Sequence, residues 1–369
     1  MKAMILAAGK GTRVRPLTDE MPKPMIPIIG KPVMEYLIEE LERHGFNEIM
    51  INVSHLPEKI ESYFGNGSRF GVEIGYSFEG HIEETEIISE ALGSAGGIKR
   101  IQDFGGFFDD TFLVVCGDAL IDLDLTKAVR EHWRSGAVAS ICTASVNAED
   151  VSDYGVVVSD ESGQITSFQE KPSIEDALSN QVNTGIYIFE PEVLDFIPSD
   201  KKFDIGSDLF PLLVDKRMRF NAINLPFNWI DIGRISDYWE ANQKIMQGEL
   251  RSIPMPGTQA KPGVWVGLNT QIDWQNCEIN GPVYIGSGTR IEADVVINGP
   301  SWIGHGCHIR KNSQISKSII FEYTRIGSDS VIENAVAYGK FFVDKDGHSF
   351  NDPDVHLDWV TDSRILSNE

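Results

Sequence analysis

Positive charge is in short supply in this sequence: 32 Lys and Arg stand against 55 Asp and Glu, a formal net charge of −23. A surface of that sign repels phosphate backbones and anionic lipid, which argues against nucleic acid or a membrane as partner. Any phosphate the chain binds must therefore meet cations placed locally. Cysteine is also sparse. Cys116, Cys142, Cys277 and Cys307 show no CxxC spacing, so neither a zinc site nor a redox pair is indicated and buried free thiols are expected. The eight histidines form no metal-ligand spacing, and Gly93-Ser94-Ala95-Gly96 does not fit the GxSxG nucleophile elbow. Long hydrophobic runs are missing too. Ala3 to Ala8 is too short for the apolar part of a signal peptide, and no later run approaches a membrane span, so a cytoplasmic location is expected.

With 41% hydrophobic and 24% charged residues, the composition is that of a globular protein able to build a large core. At 369 residues two domains are expected, because single cores stop growing beyond roughly 250–300 residues. From Met1 to about residue 250, short apolar runs alternate with amphipathic stretches, the pattern of an α/β domain with a mainly parallel sheet. Ala3 to Ala7, Ile49 to Val53, Phe112 to Cys116 and Ile186 to Phe189 read as buried strands. A helix between the first two has Pro32 near its start, Val33, Tyr36, Leu37 and Leu41 on one face, and Gly45 as its stop.

Residues 251–262, with Pro254, Pro256, Gly257 and Pro262, look like a linker. Beyond it, across 263–340, an apolar residue recurs at six-residue intervals: Ile279, Ile285, Ile291, Ile297, Ile303, Ile309, Ile315 and Phe321. This is the hexapeptide signature of a parallel β-helix, in which each step makes one face of a triangular coil and glycines such as Gly286, Gly288, Gly304 and Gly306 suit the corners. After Phe321 the phase slips by one residue, to Ile326, Ile332 and Tyr338, so an irregular coil is expected near 321–326. Residues 341–369 lose the repeat and are expected to cap the helix or drape over it.

The first strand runs into Ala8, Gly9, Lys10, Gly11, Thr12 and Arg13, followed by Arg15, Pro16 and Lys23 between two prolines. Glycines let a backbone approach phosphate oxygens, and open α/β sheets bind ligands past the carboxyl ends of their strands. Neither the P-loop nor the dinucleotide fingerprint is matched, the latter because Val14 stands where its third glycine belongs. Taken alone, Gly9 and Gly11 could simply make a tight turn.

The full string LAAGKGTRVRPLTDEMPKPMIPIIGKPV, residues 6–33, is more specific. It resembles the signature of the sugar-1-phosphate nucleotidyltransferase family, matched by Gly9, Gly11, Thr12, Arg13, Pro16, Thr18, Lys23, Pro24, Lys31 and Pro32. The resemblance implies a Rossmann-like mixed-sheet nucleotidyltransferase domain, residues 1–250, followed by a left-handed parallel β-helix. It implies an enzyme that joins a nucleoside triphosphate to a sugar 1-phosphate and expels pyrophosphate. Leu6, Ala8, Gly9, Gly11, Thr12, Arg13, Gly93, Ser94 and Gly117 would hold the nucleotide.

Phosphoryl-type transfer also needs a way to offset negative charge, usually Mg²⁺ on a few hard oxygen ligands. Cys116-Gly117-Asp118 follows one strand and Trp229-Ile230-Asp231 another apolar segment. Alone, either aspartate could cap a turn or helix; the resemblance makes Asp118 and Asp231 the magnesium ligands. With Arg13 at the β,γ-phosphates and Lys23 at the α-phosphate they form the expected catalytic set. The family's sugar-phosphate residues correspond to Tyr154, Gly155, Glu170, Lys171 and Asn183, although a Glu-Lys pair before a proline can equally be a solvated turn.

Leu92 to Gly97 resembles the family's base-contacting segment. Ahead of it, Gly80 to Ala91 reads as an acidic insertion, which leaves Glu79 without an assigned role. The strings CGDALIDLDL, NTGIYIFEPEV, WIDIG and SIIFEY resemble the branch of the family that couples UTP to glucose 1-phosphate, with mannose-1-phosphate guanylyltransferase as the alternative. A catalytically inactive nucleotide-sugar sensor is the rival class, and an acyltransferase activity using His305 or His308 a further one. The β-helix is expected to support a homo-oligomer.

Overall fold

The computed structural model describes residues 1–83, 86–199, 201–250, 253–339, 341–349 and 360–365. The chain forms two compact units. One comprises Met1–Lys10, Met21–Ile26 and Pro32–Asp231; the other comprises Gly11–Glu20, Pro27–Lys31 and Ile232–Glu369.

The first unit is built on a nine-stranded mixed sheet. Lys2–Leu6, Glu48–Val53 and Phe112–Cys116 are near-continuous apolar runs, as strands covered on both faces must be. Lys2–Leu6 lies at the centre, parallel to Phe112–Cys116 on one side and Glu48–Val53 on the other, and Glu73–Phe78 extends the parallel set. Gln181–Phe189 then runs antiparallel to Phe112–Cys116 and pairs with Ala139–Ser145 and Gly155–Ser159. The register aligns Leu6 with both Cys116 and Asn52, and Val53 with Phe78. The residues that follow these strands therefore emerge side by side along one sheet edge. The helix Val33–Arg43 occupies its expected place, with Val33, Leu37 and Leu41 buried and Gly45 in the left-handed conformation just beyond its end.

The second unit holds three sheets of short strands, each stacked on the equivalent strand of the next coil. Val283–Ile285, Ser301–Ile303 and Ile319–Ile320 form one face, Arg290–Ile291, His308–Ile309 and Thr324–Ile326 the second, and Val296–Asn298, Gln314–Ser316 and Val331–Glu333 the third. This is the parallel β-helix that the hexapeptide period predicts. Its core stacks Ile285, Ile303 and Ile320 on one face and Ile291, Ile309 and Ile326 on another. Two constraints explain its corner glycines: Gly288 takes φ +70, and a side chain at Gly286 would collide with the backbone of His305 on the next coil.

One expectation is corrected. Ile303 pairs with Ile320, and Ile315 with Ile332, whereas Ile297 pairs with Ile315. The lost residue therefore falls in the corner between Gln314–Ser316 and Ile319–Ile320, where Lys317 takes φ +48, and not at 321–326. Ile320 occupies the inward position. Phe321 is buried outside the coil, against the rings of Tyr238 and Tyr338. The stretch read as a linker contributes Thr258–Lys261, antiparallel to Val264–Val266.

Candidate active site

At the carboxyl edge of the parallel strands of the first unit lies a cavity of about 280 Å³. Leu6 at the end of the central strand and Ala8 and Gly9 in the loop after it line the cavity, as do Cys116 at the end of the neighbouring strand and Asp118 just past it. Gly117 between them sits close against the central strand: its N–H donates to Leu6 O at 2.9 Å, and a Cβ there would be crowded, 3.0 Å from Ile5 and 3.1 Å from Leu6 O. Lys23 arrives on a short 3-10 turn, Lys23–Met25, between prolines that fix its entry, and its ammonium pairs with the Asp118 carboxylate.

Asp231 is brought to the same place by backbone pairing. Trp229–Asp231 runs antiparallel to Ala119–Ile121 with Asp231 opposite Ala119, one residue beyond Asp118. The Cys116 thiol registers this convergence. Burial pushes its pKa far up, the negative charges of Asp118 and Asp231 add to that, and Lys23 opposes it. Among the described residues, no group of three or more His, Cys, Asp or Glu side chains is disposed to hold a metal. A pair of hard carboxylates that leaves most coordination positions to phosphate and water suits Mg²⁺, which keeps much of its hydration, and does not suit zinc.

The opposite wall is one the sequence did not reveal. Glu79 is 1% exposed and follows the strand Glu73–Phe78, as Asp118 follows its own strand. Its carboxylate accepts from Asn52 Nδ2 at 2.7 Å and from Leu92 N at 3.1 Å. Burial raises its pKa against these stabilising hydrogen bonds. The stretch read as an insertion contains a hairpin, Gly80–Glu83 with Glu86–Ser89, that carries the chain away from Glu79 and back to Leu92 beside it. A carboxylate immediately past a parallel strand was the signal available, obscured by the acidic residues that follow.

Gly93 and Ser94 also line the cavity. The Ser94 hydroxyl donates to Asp204 at 2.7 Å and accepts from Ile205 N at 2.8 Å, so it binds the 204–205 segment. Gly93, at φ +77, and Gly96 admit the backbone of residues 201–203, which a Cβ at either position would meet within 3.0 Å. The Ala95 and Gly96 N–H groups donate to Phe203 O.

The residues expected around the sugar phosphate gather in part. Gly155 pairs with Glu170, and a Cβ at Gly155 would stand 3.2 Å from the Glu170 carboxylate. Burial raises the Glu170 pKa, with Lys171 opposing and Asp204 reinforcing. Lys171 takes a left-handed φ of +47. Asn183 donates to Tyr187 Oη at 3.0 Å and accepts from Gly185 N at 2.9 Å. The Tyr154 ring packs on Trp229 at 5.1 Å, two residues before Asp231.

Gly11, Thr12 and Arg13 belong to the second unit. Gly11 is left-handed at φ +61 and starts the turn Thr12–Val14; Arg13 lines a cavity there with Arg15 and Arg234.

Residues 2–248 match the Nucleotidyl transferase family, and the chain belongs to it. Over 365 residues, 99% of this chain and 94% of the relative, it is 56% identical to the UTP--glucose-1-phosphate uridylyltransferase of Synechocystis sp.. It is 31% identical to the mannose-1-phosphate guanylyltransferase of Mycobacterium tuberculosis over 80% of this chain and 79% of that one. Among solved structures, UDP-glucose pyrophosphorylase complexed with UDP-glucose superposes with a TM-score of 0.56 at 25% identity, covering 67% of this chain and 98% of that one.

Proposed function

We propose that this enzyme joins UTP to glucose 1-phosphate, forming UDP-glucose and pyrophosphate. The observation that carries the reading is the Lys23–Asp118 pair, with Asp231 held in register beside it, at the sheet edge where Ala8 and Gly9 open the cavity. An oxygen of the sugar phosphate attacks the α-phosphorus, a new P–O bond forms, and the bond to the β-phosphate oxygen breaks as pyrophosphate leaves. No covalent enzyme intermediate is required. Asp118 and Asp231 would hold Mg²⁺, which when bound neutralises phosphate charge.

Lys23, released from Asp118 or shared with it, offsets charge at the α-phosphate, and the Ala8–Gly9 backbone lies along the phosphate chain. Arg13, in the middle of the turn Thr12–Val14, is assigned to the departing β,γ-phosphates. Glu170 and Asn183 would bond sugar hydroxyls, with Tyr154 and Gly155 beside them and Lys171 meeting the sugar phosphate. The choice of UTP and glucose rests on the 56% identical relative. No helix among the described residues is long and apolar enough to cross a membrane. A cytoplasmic location and a homo-oligomer assembled through the β-helix belong to the same proposal.

The test is pyrophosphate release with UTP, GTP, dTTP, CTP and ATP, each against the 1-phosphates of glucose, mannose and N-acetylglucosamine. UTP with glucose 1-phosphate is expected to give the highest kcat/KM. GTP with mannose 1-phosphate in that position would overturn the substrate assignment, and absence of turnover with every pair would overturn the reaction.

A further inference from the structure

One buried amide joins three chain segments of the cavity wall. Ala7 is the first residue past the central strand, and its N–H lies beyond the last backbone pairing of that ladder, Leu6 with Asn52. The Asn52 side chain, 2% exposed, supplies the missing acceptor: its Oδ1 receives the Ala7 N–H at 2.8 Å. Its Nδ2 donates to Glu79 Oε1 at 2.7 Å, and Glu79 Oε2 receives the Leu92 N–H at 3.1 Å. Ala7 leads directly into Ala8 and Gly9, and Leu92 into Gly93 and Ser94, all of which line the cavity.

The polarity of this chain of bonds is fixed at both ends. Backbone N–H groups can only donate, so Asn52 must accept on one side and donate on the other, and Glu79 must accept on both. Burying such groups is costly unless every partner is present, so the arrangement holds as a set.

We propose that Asn52 is a positioning residue for the nucleoside triphosphate: acting through Glu79, it sets the spacing between the Ala8–Gly9 loop and the Leu92–Ser94 segment. This rests on the nucleotidyl-transfer reading above. It touches none of the groups assigned to the reacting phosphorus, so its loss weakens triphosphate binding more than it slows the chemical step.

The test uses the full-length enzyme with UTP, glucose 1-phosphate and Mg²⁺, comparing wild type with Asn52→Leu, Asn52→Asp, Glu79→Gln and the double variant Asn52→Asp/Glu79→Gln. Each single variant leaves a buried group facing the wrong partner and should raise KM for UTP about ten- to hundredfold. KM for glucose 1-phosphate should stay within about threefold and kcat should fall far less than KM for UTP rises.

In the double variant, donor and acceptor change places. The new carboxylate at 52 accepts from Ala7 N–H and from the new amide at 79, whose oxygen still accepts from Leu92. KM for UTP should then return to within about threefold of wild type, a rescue that simple destabilisation does not produce. Because Asn52→Leu can also cost folding, its thermal midpoint is recorded and the near-isosteric variants carry the result. An unchanged KM for UTP in the single variants, a fall confined to kcat, or a double variant no better than the singles added together would each overturn the proposal. A wild-type enzyme without turnover on any pair would instead refute the reaction itself.

Discussion

The cavity wall and the β-helix are built on opposite economies of sequence. In the coil, Ile285, Ile303 and Ile320 do the same job in successive turns, each buried against its copies above and below. In the cavity, Asp118, Lys23, Glu79 and Asn52 come from four separate segments, and each makes a contact that is not repeated elsewhere in the wall. Stability in the first region is distributed over equivalent contacts. In the second, polar groups are held where their burial costs free energy, so that region depends on the sheet beneath it.

Substitution should separate the two regimes, and the largest effect belongs to the cavity. Asp118→Asn keeps the size of the side chain but removes its charge, and turnover should fall by roughly 10²- to 10³-fold or more with circular dichroism unchanged. Near-normal initial rates of pyrophosphate release would remove Asp118 from the catalytic set. In the coil the loss falls on stability instead: Ile303→Ala, a fully buried position, should cost about 2–5 kcal/mol, read from the urea midpoint.

Gly97→Ala probes the boundary between the regimes. Its added methyl would run into the Glu79 carboxylate and stand 3.0 Å from Asn52 Nδ2. A cost of about 1–3 kcal/mol is expected together with a raised KM for UTP. If stability falls while KM for UTP stays put, Glu79 is structural only.

The smallest effect is a pH dependence away from the cavity. His132 is fully buried between Ser140 at 2.7 Å and Glu190 at 3.0 Å. Burial holds its pKa below the ordinary value, against the opposing pull of Glu190. The fold therefore favours the neutral ring. That stability is present above the usual His value of about 6.5 and is lost as pH falls through the lower folded value. Urea midpoints measured across this window should decline toward acid in the wild type and decline less in His132→Gln.

The two regions were also unequally legible in the sequence. Apolar periodicity exposed the coil because every repeat restates the same steric requirement, and it misled only where one corner is a residue short. There Phe321 kept the count but Ile320 kept the inward position. The strands Lys2–Leu6 and Phe112–Cys116 followed from apolar runs, and the family resemblance put Lys23 and Asp118 in one expected catalytic set, but their direct pairing has no mark in the sequence. Glu79 and Asn52 did not, because the place of Glu79 just past a strand is masked by the acidic residues after it and Asn52 sits in no local pattern; their meaning arises when parallel strands bring positions 7, 52, 79 and 92 together. Ser94, which the resemblance gave to the nucleotide, lines the cavity while its hydroxyl is engaged by Asp204 and Ile205, a partnership no local pattern announces.

The strands that reverse direction at either end of the coil have a consequence for solubility. Thr258–Lys261 lies antiparallel on the first coil strand, and Phe341–Asp344 and Val360–Asp362 lie antiparallel on Ala335–Tyr338 and Thr324–Ile326. A stack of parallel coils is otherwise an open template, whose terminal N–H and C=O groups can recruit another molecule and begin a fibre. A chain cut after residue 339 should therefore scatter light at concentrations where the full chain does not, so the least repetitive part of this unit would be what keeps its repetition finite.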